Sequence, residues 1–216
     1  MVVHVFIHVF CRNNWLSILT NQLEKLAQYN ISSNIHLSLA DQECTTLEKI
    51  YNFSLQNEAL ILYLHLKGTT YKVGEVPKYI DSAHTISKIG YPLLEDGKIT
   101  STFMKNITSW RECMEYFCIE KSKDCIALLQ KNDVVGIELK PQGVGKWKNF
   151  GPHFSGSFWW SKSTHIKTLK APTSIQNRWE SEQWICSNKE GKYKSLYQSN
   201  HGKQTEYLHL YNGYRE

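Results

Sequence analysis

The chain has 216 residues, 41% of them hydrophobic and 21% charged, which suits one well-buried domain and is short for two. Its formal charge of +5 is mild, compatible with anionic small molecules or a membrane surface and too diffuse to point to nucleic acid. No stretch approaches the roughly 20 apolar residues of a membrane span, and no charged-then-apolar leader precedes Val2, so the sequence predicts no transmembrane segment and a cytoplasmic setting.

Val2 to Phe10 is apolar and β-branched, which predicts a central strand buried on both faces. Asn13 or Asn14 is placed to cap a helix carrying Trp15, Leu19, Leu23 and Leu26. After a turn at Asn30–Asn34, Ile35–Leu39 alternates like a strand. A second helix follows with Leu47, Ile50 and Tyr51, and then Ala59–His65 reads as another buried strand. Strand, helix, strand, helix, strand is the pattern of a parallel sheet built from βαβ crossovers.

From Lys67 to Ser109 the periodicity dissolves among Gly68, Gly74, Pro77, Gly90, Pro92 and Gly97, which predicts a binding loop or lid. A helix is expected from about Thr108 to Gln130, with Thr108 or Ser109 as cap and Glu112 completing a capping box. Asp133–Ile137 is a strand, and Pro141–Pro152 a Gly- and Lys-rich loop. His153–Trp160 follows as an aromatic strand. A short helix from Ser161 or Ser163 through Leu169, a helix over Gln176–Cys186, and short strands near Tyr193–Tyr197 and Tyr207–Tyr211 complete the chain. The fold class expected is α/β, one domain over 1–216 with a mostly parallel central sheet flanked by helices. Six scattered cysteines without a CxxC pair predict reduced thiols that pack.

In open parallel sheets the ligand crevice lies beyond the carboxyl ends of the strands, where strand order reverses. That rule gathers Phe10–Asn13, Ala40–Glu43 and His65–Thr70. Arg12 and Lys67 suit phosphate, Gly68 admits close approach to the backbone, and Asp41 suits a ribose or base. Each taken alone is more often a solvated loop residue. No Walker motif, G-x-G-x-x-G, serine nucleophile elbow or zinc spacing occurs.

Two constellations remain. His153-Phe154-Ser155-Gly156-Ser157-Phe158-Trp159-Trp160 sets small polar residues against broad aromatic faces, a mixture that suits sugars, although such runs more often fill a core. Arg178-Trp179-Glu180-Ser181-Glu182-Gln183-Trp184 puts Glu182 one helical turn from Arg178, as a salt bridge or as a part-buried general base.

Together these segments resemble a family. Tyr63-Leu64-His65-Leu66-Lys67-Gly68 resembles the Y-x-H-x-K-G motif of small glycosyltransferases with a GT-A-like fold, and Asn106–Phe117 resembles their W-R-x-x-M-x-Y-F helix. His153–Trp160 resembles their H-F-S-G-N-F-W-W motif, with Ser157 in place of Asn, and Arg178–Ile185 resembles their R-x-x-x-E-x-W-I helix. Such proteins occur as bacterial polysaccharide enzymes and as the glycosyltransferase domain of chlorella-virus capsid-glycan enzymes. The resemblance runs from Val5 to about Ile185 and leaves room for the chain to be one module of a larger enzyme, in the host cytoplasm if viral.

The resemblance implies a UDP-sugar donor held by Phe10, Arg12, Asp41, His65, Lys67 and Gly68, and a glycan acceptor. It implies a sugar or acceptor pocket lined by His153, Ser155, Gly156, Trp159, Trp160 and Arg178, with Glu182 as the base of an inverting transfer. It also implies a divalent metal, Mn²⁺ or Mg²⁺, yet the chain has no Asp-x-Asp. The nearest approaches to it are Asp41-Gln42-Glu43 and Asp81, the latter being the candidate ligand, and His65, Lys67 or His201 would otherwise supply part of the compensation. Two other classes compete with this reading. A non-catalytic carbohydrate-binding module would bind glycan without UDP, and an RNA-binding protein would show a steep salt dependence.

Overall fold

The computed structural model describes residues 1–31, 34–76, 93–143, 150–175, 178–199 and 209–215. Strands β1 (Val2–Val9), β2 (Ile35–Leu39) and β3 (Ala59–His65) alternate with helices α1 (Trp15–Gln28) and α2 (Glu43–Gln56). A small hairpin, β4 (Leu94–Glu95) with β5 (Lys98–Ile99), leads into helix α3 (Ser101–Glu115), a π-helical turn at Tyr116–Glu120 and helix α4 (Ser122–Leu128). Then come β6 (Val134–Ile137), β7 (Leu139–Lys140), β8 (His153–Phe154), β9 (Trp159–Lys162), α5 (Ser163–Ile166), a 3₁₀ turn at Pro172–Ser174, α6 (Arg178–Trp184) and β10 (Tyr193–Tyr197).

Six strands form one sheet in the order β10-β6-β9-β3-β1-β2. All pairings are parallel except those of β9, which runs antiparallel to both β3 and β6. The mixed α/β class with a mostly parallel central sheet therefore holds. Because β2 and β3 flank β1 on opposite sides, strand order reverses at β1, and the carboxyl ends of β1 and β3 stand at that switch point.

Side chains alternate across each strand, and both faces are covered. Val5, Ile7 and Val9 of β1 and Leu60, Leu62 and Leu64 of β3 pack under α1 and α3. Phe6, Ile61 and Tyr63 point the other way, to Leu47 and Ile50 of α2 and Trp184 of α6. All of β3 is buried, so its unbroken apolar run follows from its place beside the middle of the sheet. Edge strand β2 departs from its expected alternation: Ser38 is buried, while Leu37 and Leu39 are exposed.

Helix α3 begins at Ser101, seven residues before the expected start. The Thr100 hydroxyl caps it by accepting from the Phe103 amide at 3.3 Å, while Phe103, Ile107, Trp110 and Met114 form its buried stripe. Asn106, Thr108 and Ser109 hide that stripe in the sequence. Ser109 is no cap; its hydroxyl donates back to the Asn106 carbonyl at 2.9 Å within the helix. Neither Asn13 nor Asn14 caps α1 with its side chain: Asn13 sits at φ +49° and donates instead to the Thr69 carbonyl at 2.7 Å, tying the β1 and β3 loops together. Of the tail, Tyr193–Tyr197 is a strand, His209–Tyr211 is not, and Tyr207 lies outside the described residues. All six cysteines are free thiols. Among the described residues no helix is long and apolar enough to cross a membrane.

Candidate functional site

The crossovers bring a polar cluster to the carboxyl edge of β1 and β3, on the face covered by α2 and α6. His65 ends β3, and its Nδ1 lies 2.5 Å from Oε1 of Glu43, the first residue of α2. Its Nε2 lies 2.7 Å from the Gly156 carbonyl oxygen. That carbonyl can only accept, so Nε2 is the donor there, and Nδ1 faces the Glu43 carboxylate. His65 thus clamps the β3 end to α2 and to the turn between β8 and β9.

Two residues back, the Tyr63 hydroxyl is fully buried beside the Glu43 carboxylate. Burial raises its pKa far above the usual phenol value, and the negative charges of Glu43 and Glu182 reinforce the shift. His8, from the same edge of β1, shares its Nδ1 with the Thr46 hydroxyl at 2.9 Å. Burial lowers its pKa to about 4, partly offset by Glu43 and Asp41. Glu182 of α6 is buried and, among the described residues, its carboxylate has no cationic partner. Glu43, Tyr63, His65, His8 and Glu182 therefore form one cluster that is rich in carboxylate and poor in cations.

The other expected site residues divide. Arg12 is exposed beyond β1, its guanidinium 4.8 Å from the centre of the half-buried Phe10 ring. Asp41 is exposed beyond β2. Lys67 turns inward: its ammonium lies 4.1 Å from the centre of the Trp110 ring, and the residue is 7% exposed. Its chemistry is a cation–π contact with α3 rather than a reach to phosphate.

Gly68 and Gly156 are small for a reason other than ligand approach. A Cβ on Gly68, at φ +99°, would stand 2.9 Å from Ile107 Cγ2. One on Gly156, at φ +85°, would collide with Met114 Sδ and stand 2.9 Å from Trp110 Cζ2. Both glycines let loops press against α3, and both adopt the left-handed region that favours glycine.

The aromatic run is not a ligand wall. It is two short strands, β8 and β9, separated by a turn. Trp159 and Trp160, at 1% and 0% exposure, point to opposite faces of the covered sheet. Trp159 packs beside Tyr63 with ring centres 5.1 Å apart, and Trp160 Nε1 donates to the Cys118 carbonyl at 2.7 Å. Phe158 is equally buried. Ser155 is buried and its amide donates to the Glu138 carbonyl. His153 is half-buried, with Nδ1 3.1 Å from the Gly151 oxygen and its ring edge-on to Phe150. Arg178 opens α6, but its side chain, and hence the Arg178–Glu182 pair, lies outside what is described; so do Asp81 and His201.

Among the described residues, no three His, Cys, Asp or Glu side chains converge as metal ligands. Glu43 is committed to His65, and Asp41 stands apart in solvent, so the described donors do not fit the divalent ion that the resemblance implies. The sequence reading missed two members of the cluster and gave Glu43 another part, as the end of Asp41-Gln42-Glu43, an approach to an Asp-x-Asp. Tyr63 and His8 stood inside apolar strands, where a polar residue on the face shared by two strand ends was the available signal.

The chain matches no family model, no curated protein and no solved structure.

Proposed function

We propose that this chain is a glycosyltransferase of GT-A-like fold, moving a sugar from a UDP-linked donor to a hydroxyl of a glycan with inversion. The observation that carries the reading is a buried carboxylate, Glu182, without a cationic partner among the described residues, near Tyr63 and Glu43 at the carboxyl edge where strand order reverses. The antiparallel strand β9 set between β3 and β6, and the meeting of the four motifs around His65, Gly156, Trp110 and Glu182, agree with it.

In this account Glu182 takes the proton of the acceptor hydroxyl. The acceptor oxygen bonds to the anomeric carbon from one side as the carbon–phosphate oxygen bond breaks on the other, and the electron pair leaves with UDP. Tyr63, undissociated at neutral pH, supplies a hydroxyl proton to the carboxylate pair that brackets it. His65 holds the β8–β9 turn and α2 in register. Arg12, exposed at the β1 end, is the cation placed to meet the diphosphate.

A non-catalytic glycan-binding module loses its chief support with Phe158, Trp159 and Trp160 in the core. The test is UDP release from a panel of UDP-sugars in the presence of short oligosaccharide acceptors. Glu182→Gln should lower turnover by about 10²- to 10⁴-fold, the range for loss of a general base, while leaving UDP affinity within about twofold. Turnover retained in that variant overturns the assignment.

A further inference from the structure

One aromatic surface remains outside the core. Trp179, on the first turn of α6, is 53% exposed. The edge of its ring meets Phe150 at 5.9 Å between centres and 68° between planes, and Phe150 in turn stands edge-on to His153 at 4.8 Å and 85°. The cluster is held in place from below. Gln183 accepts from the Gly151 amide and donates from Nε2 to the Trp179 carbonyl at 3.0 Å, while His153 Nδ1 rests on the Gly151 carbonyl. The loop and the helix are therefore stitched together, and Trp179 is presented on a fixed frame rather than on a swinging arm.

From these contacts we propose that Trp179, backed by Phe150 and His153, is the stacking platform for a pyranose ring of the acceptor glycan. The inference rests on the transferase reading, because Glu182 lies three residues on, one helical turn from Trp179, and supplies the acceptor for the sugar hydroxyl. The size of the platform selects the occupant. The other large hydrophobic residues that are well exposed among those described, Leu16, Leu37, Leu39, Leu55, Val73 and Leu210 among them, belong to other elements of the fold, so the apolar area that the described residues offer here is one indole face with an aromatic edge. That area matches the apolar face of one sugar ring and falls far short of the several hundred Å² of a protein-docking patch. An indole also keeps a polar N–H beside its apolar face, which suits a ring fringed with hydroxyls.

The experiment is a titration of the full chain with cellotriose, chitotriose and methyl β-galactopyranoside, read by tryptophan fluorescence. Trp110, Trp159, Trp160 and Trp184 are buried, while Trp15 is half-buried and Trp147 lies outside the described residues, so the response that matters is the part lost on replacing Trp179. At least one of the three sugars should shift the emission. Trp179→Ala should weaken that binding about tenfold or more, Trp179→Tyr should restore most of it, and UDP binding measured alongside should be unchanged in both. Sugar binding that is indifferent to Trp179→Ala, or no response to any of the three, overturns the platform. If sugars bind through Trp179 while UDP does not bind at all, the platform stands and the transferase reading falls; UDP binding without any sugar response does the reverse.

Discussion

Two buried acidic clusters lie on opposite faces of the same sheet, and they are built on opposite principles. Beneath α1 and α3, Glu115 is 2% exposed and fully matched: Lys25 Nζ lies 2.6 Å from Oε2, Gln22 Nε2 3.0 Å from Oε1, and Arg111 Nε 3.6 Å from Oε1. At the edge beneath α2 and α6, Glu43 Oε1 lies 2.5 Å from His65 Nδ1 and the carboxylate stands beside the Tyr63 hydroxyl, while Glu182 has no cation among the described residues. A buried charge is expensive unless it is paired, so the first cluster is scaffold, while the second holds its carboxylates with few cations among the described residues. The difference separates a carboxylate that holds the fold from the one proposed to meet a substrate.

The sharpest way to break that contrast is to neutralise one acid on each side. Glu115→Gln should destabilise the protein by about 3 kcal/mol, since it leaves Lys25 and Arg111 facing a neutral amide. Glu182→Gln should leave stability unchanged or raise it by about 1 kcal/mol, because it removes a buried charge with no cationic partner among the described residues. Urea unfolding monitored at two wavelengths gives both numbers. Equal losses in the two variants would erase the distinction.

Next in size is the response to pH. His8 has its pKa lowered from 6.5 to about 4, chiefly by burial, so the folded state binds fewer protons than the unfolded chain between those values. Its contribution is fully present above about pH 6.5 and declines as pH falls, being lost by about pH 4; the shift corresponds to about 3 kcal/mol. His4, His36 and His165 are also lowered and act in the same direction. His8→Gln, which keeps a group able to bond Thr46, should lose about 3 kcal/mol less than the native chain between pH 7 and pH 4. An identical pH profile would place His8 outside the buried edge.

The smallest effect tests the aromatic strand. Trp160→Phe removes the 2.7 Å bond to the Cys118 carbonyl from a core position. It should cost about 1–3 kcal/mol in stability and leave sugar binding untouched. Weaker sugar binding in that variant would return the strand to the ligand wall.

Much of the framework was legible in the sequence. Apolar periodicity placed β1, α1, α2 and β3, and the rule on strand ends pointed to the edge where His65 and Glu43 meet. What the sequence hid were contacts between distant segments. Three adjacent aromatics look alike in a string, yet alternation sends Trp159 and Trp160 to opposite sides of a strand whose central place between β3 and β6 no local pattern reveals. Gly68 and Gly156 read as room for a ligand because Ile107, Trp110 and Met114 arrive from a helix whose start lay concealed among polar residues. Trp179 stands exposed on a rigid turn, a property of the loop stitched to it rather than of its neighbours in sequence.

The measurement that bears most directly on the central claim is calorimetric titration of the full chain with UDP, with and without Mn²⁺, alongside Arg12→Ala. The account predicts saturable binding with Kd on the order of micromolar, about 8 kcal/mol, weakened tenfold or more by the Arg12 replacement. Binding without Mn²⁺ would fit an edge that meets the diphosphate with side chains, and binding strengthened by Mn²⁺ would add a ligand set beyond the described residues. Absence of UDP binding under both conditions would contradict the assignment of this edge as a nucleotide-sugar site.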